Sequence, residues 1–140
     1  MNGSEASTTV HRAVTALGRR LRSERSDSDL SLTKLSVLGH LYRKGSLSAV
    51  QLATLERVQP QSLTRVLAEL VDSGLVSRRA DASDGRRLLL DITGDGRTVL
   101  THDMQQRDAW LARAMEGLSE TEREVLRLAG QLMERLAEGP

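Results

Sequence analysis

A segment near the middle of the chain has the regular apolar spacing of an α-helix, with signals for where that helix begins and ends. Its apolar side chains recur at i, i+3, i+4, i+7 and i+8, which places them on one helical face. They are Leu63, Val66, Leu67, Leu70 and Val71. The helix is predicted to begin at Pro60, because proline is tolerated in a first turn, and to end before Gly74. The opposite face carries a polar set: Gln61, Ser62, Thr64, Arg65 and Glu69.

Two shorter helical segments precede this amphipathic helix. The first is predicted to start near Thr33, which can act as its N-cap, and to end at Gly45. The second opens with Ser48-Ala49-Val50-Gln51, in which Ser and Gln have the spacing of a capping box. A turn at Val58-Gln59 joins it to the amphipathic helix, so the pair is predicted to form a helix-turn-helix.

The segment after Gly74 is predicted to form a β-hairpin. Leu75 to Arg79 and Arg87 to Ile92 are the predicted strands, and the polar, turn-rich residues 80–85 join them. A helix-turn-helix followed by a hairpin is the element order of a winged helix-turn-helix. The predicted fold class is therefore mainly α, formally α+β, with about six helices and a two-stranded wing.

The first and last helices are predicted to lie outside the winged core. The first runs from about Thr9 to Arg25 with a narrow apolar stripe, and residues 26–31, rich in Ser and Asp, interrupt it. A long helix capped by Thr93-Gly94-Asp95 leads to the last helix, which opens with a capping box at Ser119 to Glu122. A winged core of roughly 60 residues cannot bury both apolar faces, so we expect a dimer interface there. Its predicted residues are Val10, Val14, Leu17, Leu21, Leu126, Leu128, Leu132, Met133 and Leu136.

Composition excludes several classes of protein. The chain has no cysteine, which removes disulfides, thiolate catalysis and cysteine-ligated zinc. No apolar run is long enough to span a membrane, and Met1 to Thr9 lack the features of an export signal, so a cytoplasmic protein is expected. Tyr42 and Trp110 are the only aromatic residues, too few for a surface that stacks single-stranded bases. No cofactor or metal is predicted, since metal-ligand spacing is absent at the three histidines, His11, His40 and His102.

The polar face of the amphipathic helix suits the major groove of double-stranded DNA. That groove admits one helix, and short polar side chains with an arginine can read base edges there. The hairpin would carry Arg86 and Arg87 beside this helix, where a narrow minor groove attracts guanidinium groups. Net charge does not decide the matter, because residues 46–93 carry 6 basic and 6 acidic side chains.

Two stretches of the chain resemble the MarR family of bacterial transcription regulators. Asp84 to Thr93 is similar to the family's wing signature, Asp-x-Arg followed after five residues by Leu-Thr, with Ile92 in place of the usual Leu. Val58 to Arg65 resembles a common form of the family's recognition helix. The motifs cover about Leu32 to Thr93, and the order of elements extends the resemblance over nearly the whole chain.

The resemblance implies a homodimer in which the terminal helices pack together and each winged domain binds one half-site of a palindromic operator. It implies that Arg86 enters the minor groove and that Asp84 braces the wing through Arg86. The implied organisation is a dimerisation helix at 1–31, a DNA-binding domain at 32–93, and a long helix with a C-terminal dimerisation helix at 94–140. The implied DNA-binding residues are Gln59, Pro60, Gln61, Ser62, Thr64, Arg65, Asp84, Arg86 and Arg87.

Members of this family commonly repress transcription, and they often sense small aromatic acids between the dimer helices and the winged domain. The resemblance therefore implies a repressor that a small aromatic or anionic effector releases from DNA. The candidate pocket lies between the long helix after Thr93 and the winged domain. Its candidate residues are Arg12, Arg19, His40, Arg43 and Trp110.

Other classes of function stand beside this interpretation. Ser31-Leu32-Thr33-Lys34 matches the Ser-x-x-Lys pattern of penicillin-binding enzymes. The accompanying Lys-Thr-Gly element is absent and Ser and Thr commonly cap helix starts, so no enzyme is predicted. A winged helix can also serve protein contacts alone, or bind DNA as an ungated architectural protein. Salt-dependent binding to duplex DNA separates a protein-contact module from a DNA-binding protein.

Overall fold

The computed structural model describes residues 1–25 and 30–140. Within these ranges the chain forms six α-helices and one two-stranded antiparallel sheet, which confirms the predicted fold class. The elements are α1 (Gly3–Ser23), α2 (Leu32–Lys44), α3 (Ala49–Glu56), α4 (Pro60–Asp72), β1 (Val76–Ala80), β2 (Leu88–Ile92), α5 (Gly94–Met115) and α6 (Glu120–Glu138). Part of the predicted interruption after the first helix, residues 26–29, lies outside the described residues.

Side-chain caps set most of the helix starts. Both predicted capping boxes are confirmed: the hydroxyl of Ser48 accepts from the Gln51 N–H in α3, and that of Ser119 accepts from the Glu122 N–H in α6. Pro60 is the first residue of α4, as predicted. Proline needs no acceptor for a main-chain N–H in the first turn, so it starts the helix without distorting it.

Two helix starts differ from the prediction because other side chains cap them. The first helix begins before Thr9, since the Asn2 side chain accepts from the Glu5 N–H at 2.9 Å. The second is capped by Ser31, and the predicted cap Thr33 lies inside the helix. A sequence offers several Ser, Thr and Asn residues near each start, and only the backbone geometry selects one of them.

The wing sheet is antiparallel, with Val76 opposite Ile92 at its base. Its first strand begins one residue later than predicted, because the Leu75 N–H donates to the carbonyl of Leu70 at 3.0 Å and closes the end of α4. Leu47 and Leu90 exchange two main-chain hydrogen bonds, of 3.1 and 2.8 Å. The segment before α3 therefore forms an isolated antiparallel β-bridge with β2. The wing is thereby tied by main-chain bonds to the helical part of its unit.

The described residues between Arg25 and Gln105 form one of two compact units, and α4 is anchored in its core. α2, α3, α4 and the sheet surround a cluster of leucine and valine side chains. The largest fully buried members are Leu38, Leu41, Leu52, Leu63, Leu70, Val37 and Val76. Because Leu63, Leu67 and Leu70 all point into this cluster, the polar side of α4 is turned outward.

The first turn of α5 lies against the base of the wing. The Thr93 hydroxyl donates to the carbonyl of Gly74 at 2.6 Å and accepts from the Gly96 N–H at 3.1 Å. Gly96 is buried, and a Cβ atom there would lie 2.3 Å from the carbonyl oxygen of Leu75 and 2.8 Å from Cγ1 of Ile92. Only glycine permits so close an approach of a helix to a neighbouring backbone.

An ion pair is buried in the same unit. Nε of Arg25 lies 3.2 Å from Oδ1 of Asp103 on α5, and the two side chains are only 14% and 3% exposed. Arg25 also donates to the main-chain carbonyl of Leu30. A carboxylate removed this far from water is tolerated only when a charge partner and hydrogen bonds accompany it.

The second unit comprises residues 1–24 and 106–140. Its helices α1 and α6 contain no buried residue in the single chain. Their apolar side chains are largely exposed: Val14 by 48%, Leu132 by 50% and Leu136 by 77%. Among the residues described, no helix combines the length and apolarity needed to cross a membrane.

Candidate nucleic-acid interface

The structure exposes the polar side of α4 and the turn that leads into it. Every one of the candidate residues there is exposed, whereas Leu63 between them is buried. The candidates are Gln59, Pro60, Gln61, Ser62, Thr64 and Arg65. They therefore form one continuous surface on a helix whose other side is fixed in the core.

Arg65 is held in place by a charged neighbour on the same helix. Its Nε donates to Oε1 of Glu69 at 2.9 Å, and Nζ of Lys34 lies 2.8 Å from Oε2 of the same carboxylate. The hydrogen bonds from Lys34 and then Arg65 hold the pKa of Glu69 below its ordinary value. The Arg65 side chain remains 90% exposed, so the contact with Glu69 orients it without covering it.

Asp84 holds the main chain at the tip of the wing by two hydrogen bonds. Its Oδ1 accepts from the main-chain N–H of Arg86 at 3.2 Å, and its carbonyl accepts from the N–H of Arg87 at 3.0 Å. The resemblance implies that Asp84 braces the wing through Arg86, and the bond observed runs to the main chain of that residue. The Arg86 side chain is exposed, with no hydrogen bond or ion pair to any other described residue.

Arg87 differs from Arg86 in having protein partners for its guanidinium group. Its Nη2 donates to Oε1 of Gln51 at 2.9 Å, and its Nε lies 3.7 Å from Oδ2 of Asp81. Hydrogen bonds from the main chain and then the hydroxyl of Ser83 hold the pKa of Asp81 below its ordinary value. Asp81 is therefore ionised at neutral pH and can pair with the arginine.

Sequence reasoning gave no role to two further arginines on the first wing strand. Arg78 and Arg79 are both exposed, and they place two more positive charges on the hairpin. Arg79 donates from Nε to Asp91 at 2.9 Å and from Nη2 to Ser46 at 2.9 Å, and Ser46 in turn donates to Asp91. The sequence does show two adjacent arginines here. It gives no local sign of the contact between Arg79 and Ser46, which lie 33 residues apart.

The five candidate effector residues are distributed over both compact units. Arg12 and Arg19 line an open groove along α1, of about 460 Å³, together with His11. Trp110, in the same unit, lies beneath the guanidinium of Arg20, 5.0 Å from the ring centroid. Sequence reasoning missed this contact, because Arg20 is one of several arginines on α1 with no local mark to distinguish it.

The other two effector candidates, His40 and Arg43, lie on α2 in the winged unit. Nε2 of His40 is 3.5 Å from Oε2 of Glu56, and its Nδ1 is buried without a hydrogen-bond partner among the residues described. The Arg43 guanidinium folds back over Gly39 of the same helix. Both side chains thus have neighbours within their own unit.

The Ser-x-x-Lys segment is occupied with structural contacts. The Ser31 hydroxyl accepts from the main-chain N–H of Lys34 at 3.2 Å, as an N-cap does. The Lys34 ammonium is paired with Glu69 and is not directed at the serine hydroxyl. This geometry matches a helix start and differs from a nucleophile hydrogen-bonded to its base.

Comparison with known proteins gives one consistent picture. Residues 30–88 match the family model described as the MarR family. An HTH-type transcriptional regulator of Mycobacterium tuberculosis is 39% identical over 86% of this chain and 85% of its own. A relative of Mycobacterium leprae, also named an HTH-type transcriptional regulator, is 36% identical over 91% and 90%. A Bacillus subtilis protein named an HTH-type transcriptional repressor is 29% identical over 77% and 66%.

Solved structures share the fold over nearly the full length. A transcriptional regulator from Pseudomonas aeruginosa is 34% identical with a TM-score of 0.82, covering 97% of this chain and 95% of that one. A MarR family protein from Bacillus stearothermophilus has a TM-score of 0.84 at 19% identity, covering 99% of each chain. Bordetella bronchiseptica BpsR, whose DNA binding is regulated by 6-hydroxynicotinic acid, has a TM-score of 0.71 at 20% identity, over 100% and 99%.

Proposed function

The chain belongs to the MarR family of DNA-binding transcription regulators, and from this premise we propose that it is a homodimeric repressor of a palindromic operator. The observation that carries the proposal is that α4 exposes a polar face and the wing exposes Arg86 within one compact unit. In the proposed complex, α4 lies in the major groove and the wing reaches the adjacent minor groove. The protein acts in the cytoplasm, where the chromosome is accessible to it.

In this arrangement the side chains of α4 either read base edges or bind the phosphate backbone. Gln61 is suited to read base edges, because an amide can donate to and accept from an adenine at once. Ser62 and Thr64 supply shorter hydrogen-bonding groups, and Arg65 binds either a guanine edge or a phosphate. The turn at Gln59 and Pro60 brings the helix N-terminus, with its partial positive charge, close to the DNA backbone.

Replacement of Arg86 by alanine is the direct test of the wing contact. We expect a loss of about 1–3 kcal/mol in binding free energy, with an unchanged melting temperature because the exposed side chain stabilises little of the fold. If the guanidinium also neutralises a phosphate, the slope of log affinity against log salt falls by about one. Affinity is measured on duplexes recovered by selection from genomic fragments with the wild-type protein.

The matched control for this substitution is Arg113→Ala on α5, which removes one exposed positive charge elsewhere. We expect this control to bind as the wild type does. An Arg86→Ala protein with wild-type affinity at physiological salt would show that the wing does not contact DNA. Selected fragments that lack a palindrome would contradict the dimeric operator.

Repression is proposed because a Bacillus subtilis relative is named a transcriptional repressor. A dimer bound across a promoter excludes RNA polymerase from the same DNA. Transcription in vitro from a template that carries a selected fragment should therefore fall as protein is added. A rise in transcript would make the protein an activator.

Dimerisation through α1 and α6 is proposed because both helices carry an apolar face that the described residues of the chain leave unburied. The occupant is a second copy of the same chain, since exposed stripes on two terminal helices suit a symmetric interface. Two copies are also needed to bind both halves of a palindrome. The faces comprise Val10, Val14, Leu17 and Leu21 on α1, and Leu126, Leu128, Leu132, Met133 and Leu136 on α6.

Release by a small anionic or aromatic effector is the last part of the proposal. Arg12 and Arg19 line one groove, and guanidinium groups bind carboxylates in bidentate fashion. BpsR, which has the same fold, is regulated by a small aromatic acid. His40 and Arg43 are further candidates for the effector in the winged unit.

Trp110 provides the readout for effector binding, because it is the only tryptophan and its ring lies 5.0 Å from Arg20. We expect an aromatic carboxylate that binds to change Trp110 emission and to release the selected duplex over the same concentration range. The ligand can shift binding only by its differential affinity for the two states. A broad panel that changes neither signal nor the melting temperature would make the protein an ungated DNA binder.

A further inference from the structure

Two adjacent arginines at the wing are both exposed, Arg87 by 42%, but they differ in their partners. The guanidinium of Arg86 is exposed and unengaged among the described residues. The guanidinium of Arg87 is engaged from two sides, by Gln51 at 2.9 Å and by Asp81 at 3.7 Å. An arginine whose planar fork is committed to protein acceptors has fewer donors to offer to a phosphate or a base.

Gln51 connects the wing to the start of α3. Its Oε1 accepts from the main-chain N–H of Ser48 at 2.9 Å, as the capping box requires, and also from Nη2 of Arg87 at 2.9 Å. A carbonyl oxygen has two lone pairs, so both are used. One amide group thus fixes the first turn of a core helix and holds a side chain of the wing.

The main chain of Arg87 closes the wing loop as well. Its N–H donates to the Asp84 carbonyl at 3.0 Å, and its carbonyl accepts from the Asp81 N–H at 2.9 Å. Backbone and side chain of this residue are therefore both engaged at the base of the loop that carries Arg86. Replacement of the Arg87 side chain keeps these main-chain bonds and removes only its contacts with Gln51 and Asp81.

We infer that Arg87 is a positioning residue and not a DNA contact, and that Gln51 is the acceptor through which it acts. The pair fastens the wing to α3, so that Arg86 is presented to the minor groove in a fixed orientation. This inference rests on the proposed function, in which the wing contacts DNA. It assigns to Gln51, a helix-capping residue, a second role in DNA affinity.

A double-mutant cycle on a duplex selected by the wild-type protein tests the inference. We expect Arg87→Ala and Gln51→Ala each to weaken binding by about 3- to 10-fold, and the double variant to lose no more than the larger of the two single losses. The salt slope stays that of the wild type, since no phosphate contact is removed. Gln51→Glu keeps an acceptor for both Ser48 and Arg87, and we expect this variant to bind with nearly the wild-type affinity.

Arg86→Ala is the reference for a lost DNA contact, and Arg113→Ala is the control for one positive charge fewer. The cycle subtracts any weakening of the α3 cap, because that loss occurs with and without Arg87. A salt slope lowered by about one in Arg87→Ala, or losses that multiply in the double variant, overturns the inference. A wild-type protein that binds no duplex at any salt concentration overturns the proposed function itself, which is a distinguishable result.

Discussion

Removal of residues 119–140 is expected to leave a chain that is monomeric or insoluble and that no longer binds the operator. The deletion takes away α6, whose apolar side chains are exposed in the single chain by 45% at Leu126, 46% at Leu128 and 77% at Leu136. Burial of each such side chain against a second copy stabilises a dimer by about 2 kcal/mol. Without it, each winged unit is left with one half-site, which supplies only part of the contact energy.

A point variant keeps this expectation testable if the truncated chain does not fold. Leu132→Glu in the full chain introduces a charge into the proposed interface, and we expect it to dissociate the dimer in sedimentation experiments. Gln131→Glu places the same side chain one residue earlier, away from the apolar stripe, and should remain dimeric. A soluble truncation that still sediments as a dimer would refute the proposed interface.

Alanine at Gly96 is expected to destabilise the winged unit strongly. The new Cβ would lie 2.3 Å from the Leu75 carbonyl oxygen and 2.8 Å from Cγ1 of Ile92, so α5 or the base of the wing must move. Such overpacking outweighs the better helix propensity of alanine, and we expect a net loss of about 2–3 kcal/mol. The melting temperature should fall by roughly 5–15 °C.

Gly94→Ala is the matched control, since it lies in the same first turn of α5 and a Cβ there meets nothing within 4 Å. We expect that variant to be as stable as the wild type or slightly more stable. The new side chain at Gly96 would push against Leu75 and Ile92, where β1 begins and β2 ends. Operator affinity should therefore drop together with stability. Equal melting temperatures for the two variants would mean that α5 does not approach the sheet so closely.

Local signals account for the parts of the fold that were predicted from the sequence. The capping boxes at Ser48 and Ser119 and the start at Pro60 depend on residues within one helical turn, and all three are confirmed. The exposed face of α4 follows from apolar periodicity alone. For the same reason the candidate DNA-binding residues on that helix could be chosen from the sequence.

Contacts between distant segments could not be predicted in this way. Gln51 and Arg87 are 36 residues apart, and Arg79 reaches Ser46 across 33. Nothing in the local pattern of Arg86 and Arg87 distinguishes a free guanidinium from an engaged one. The close approach at Gly96 likewise depends on the packing of α5 against the sheet, which a glycine in a helix does not reveal.

The buried pair of Arg25 and Asp103 restricts how this sequence can change over evolutionary time. Loss of either partner alone removes this ion pair from a site where the two side chains are only 14% and 3% exposed, which is strongly destabilising. A lineage must therefore pass through an unstable single substitution or keep both residues. The two positions, 78 residues apart, should therefore covary among homologous sequences.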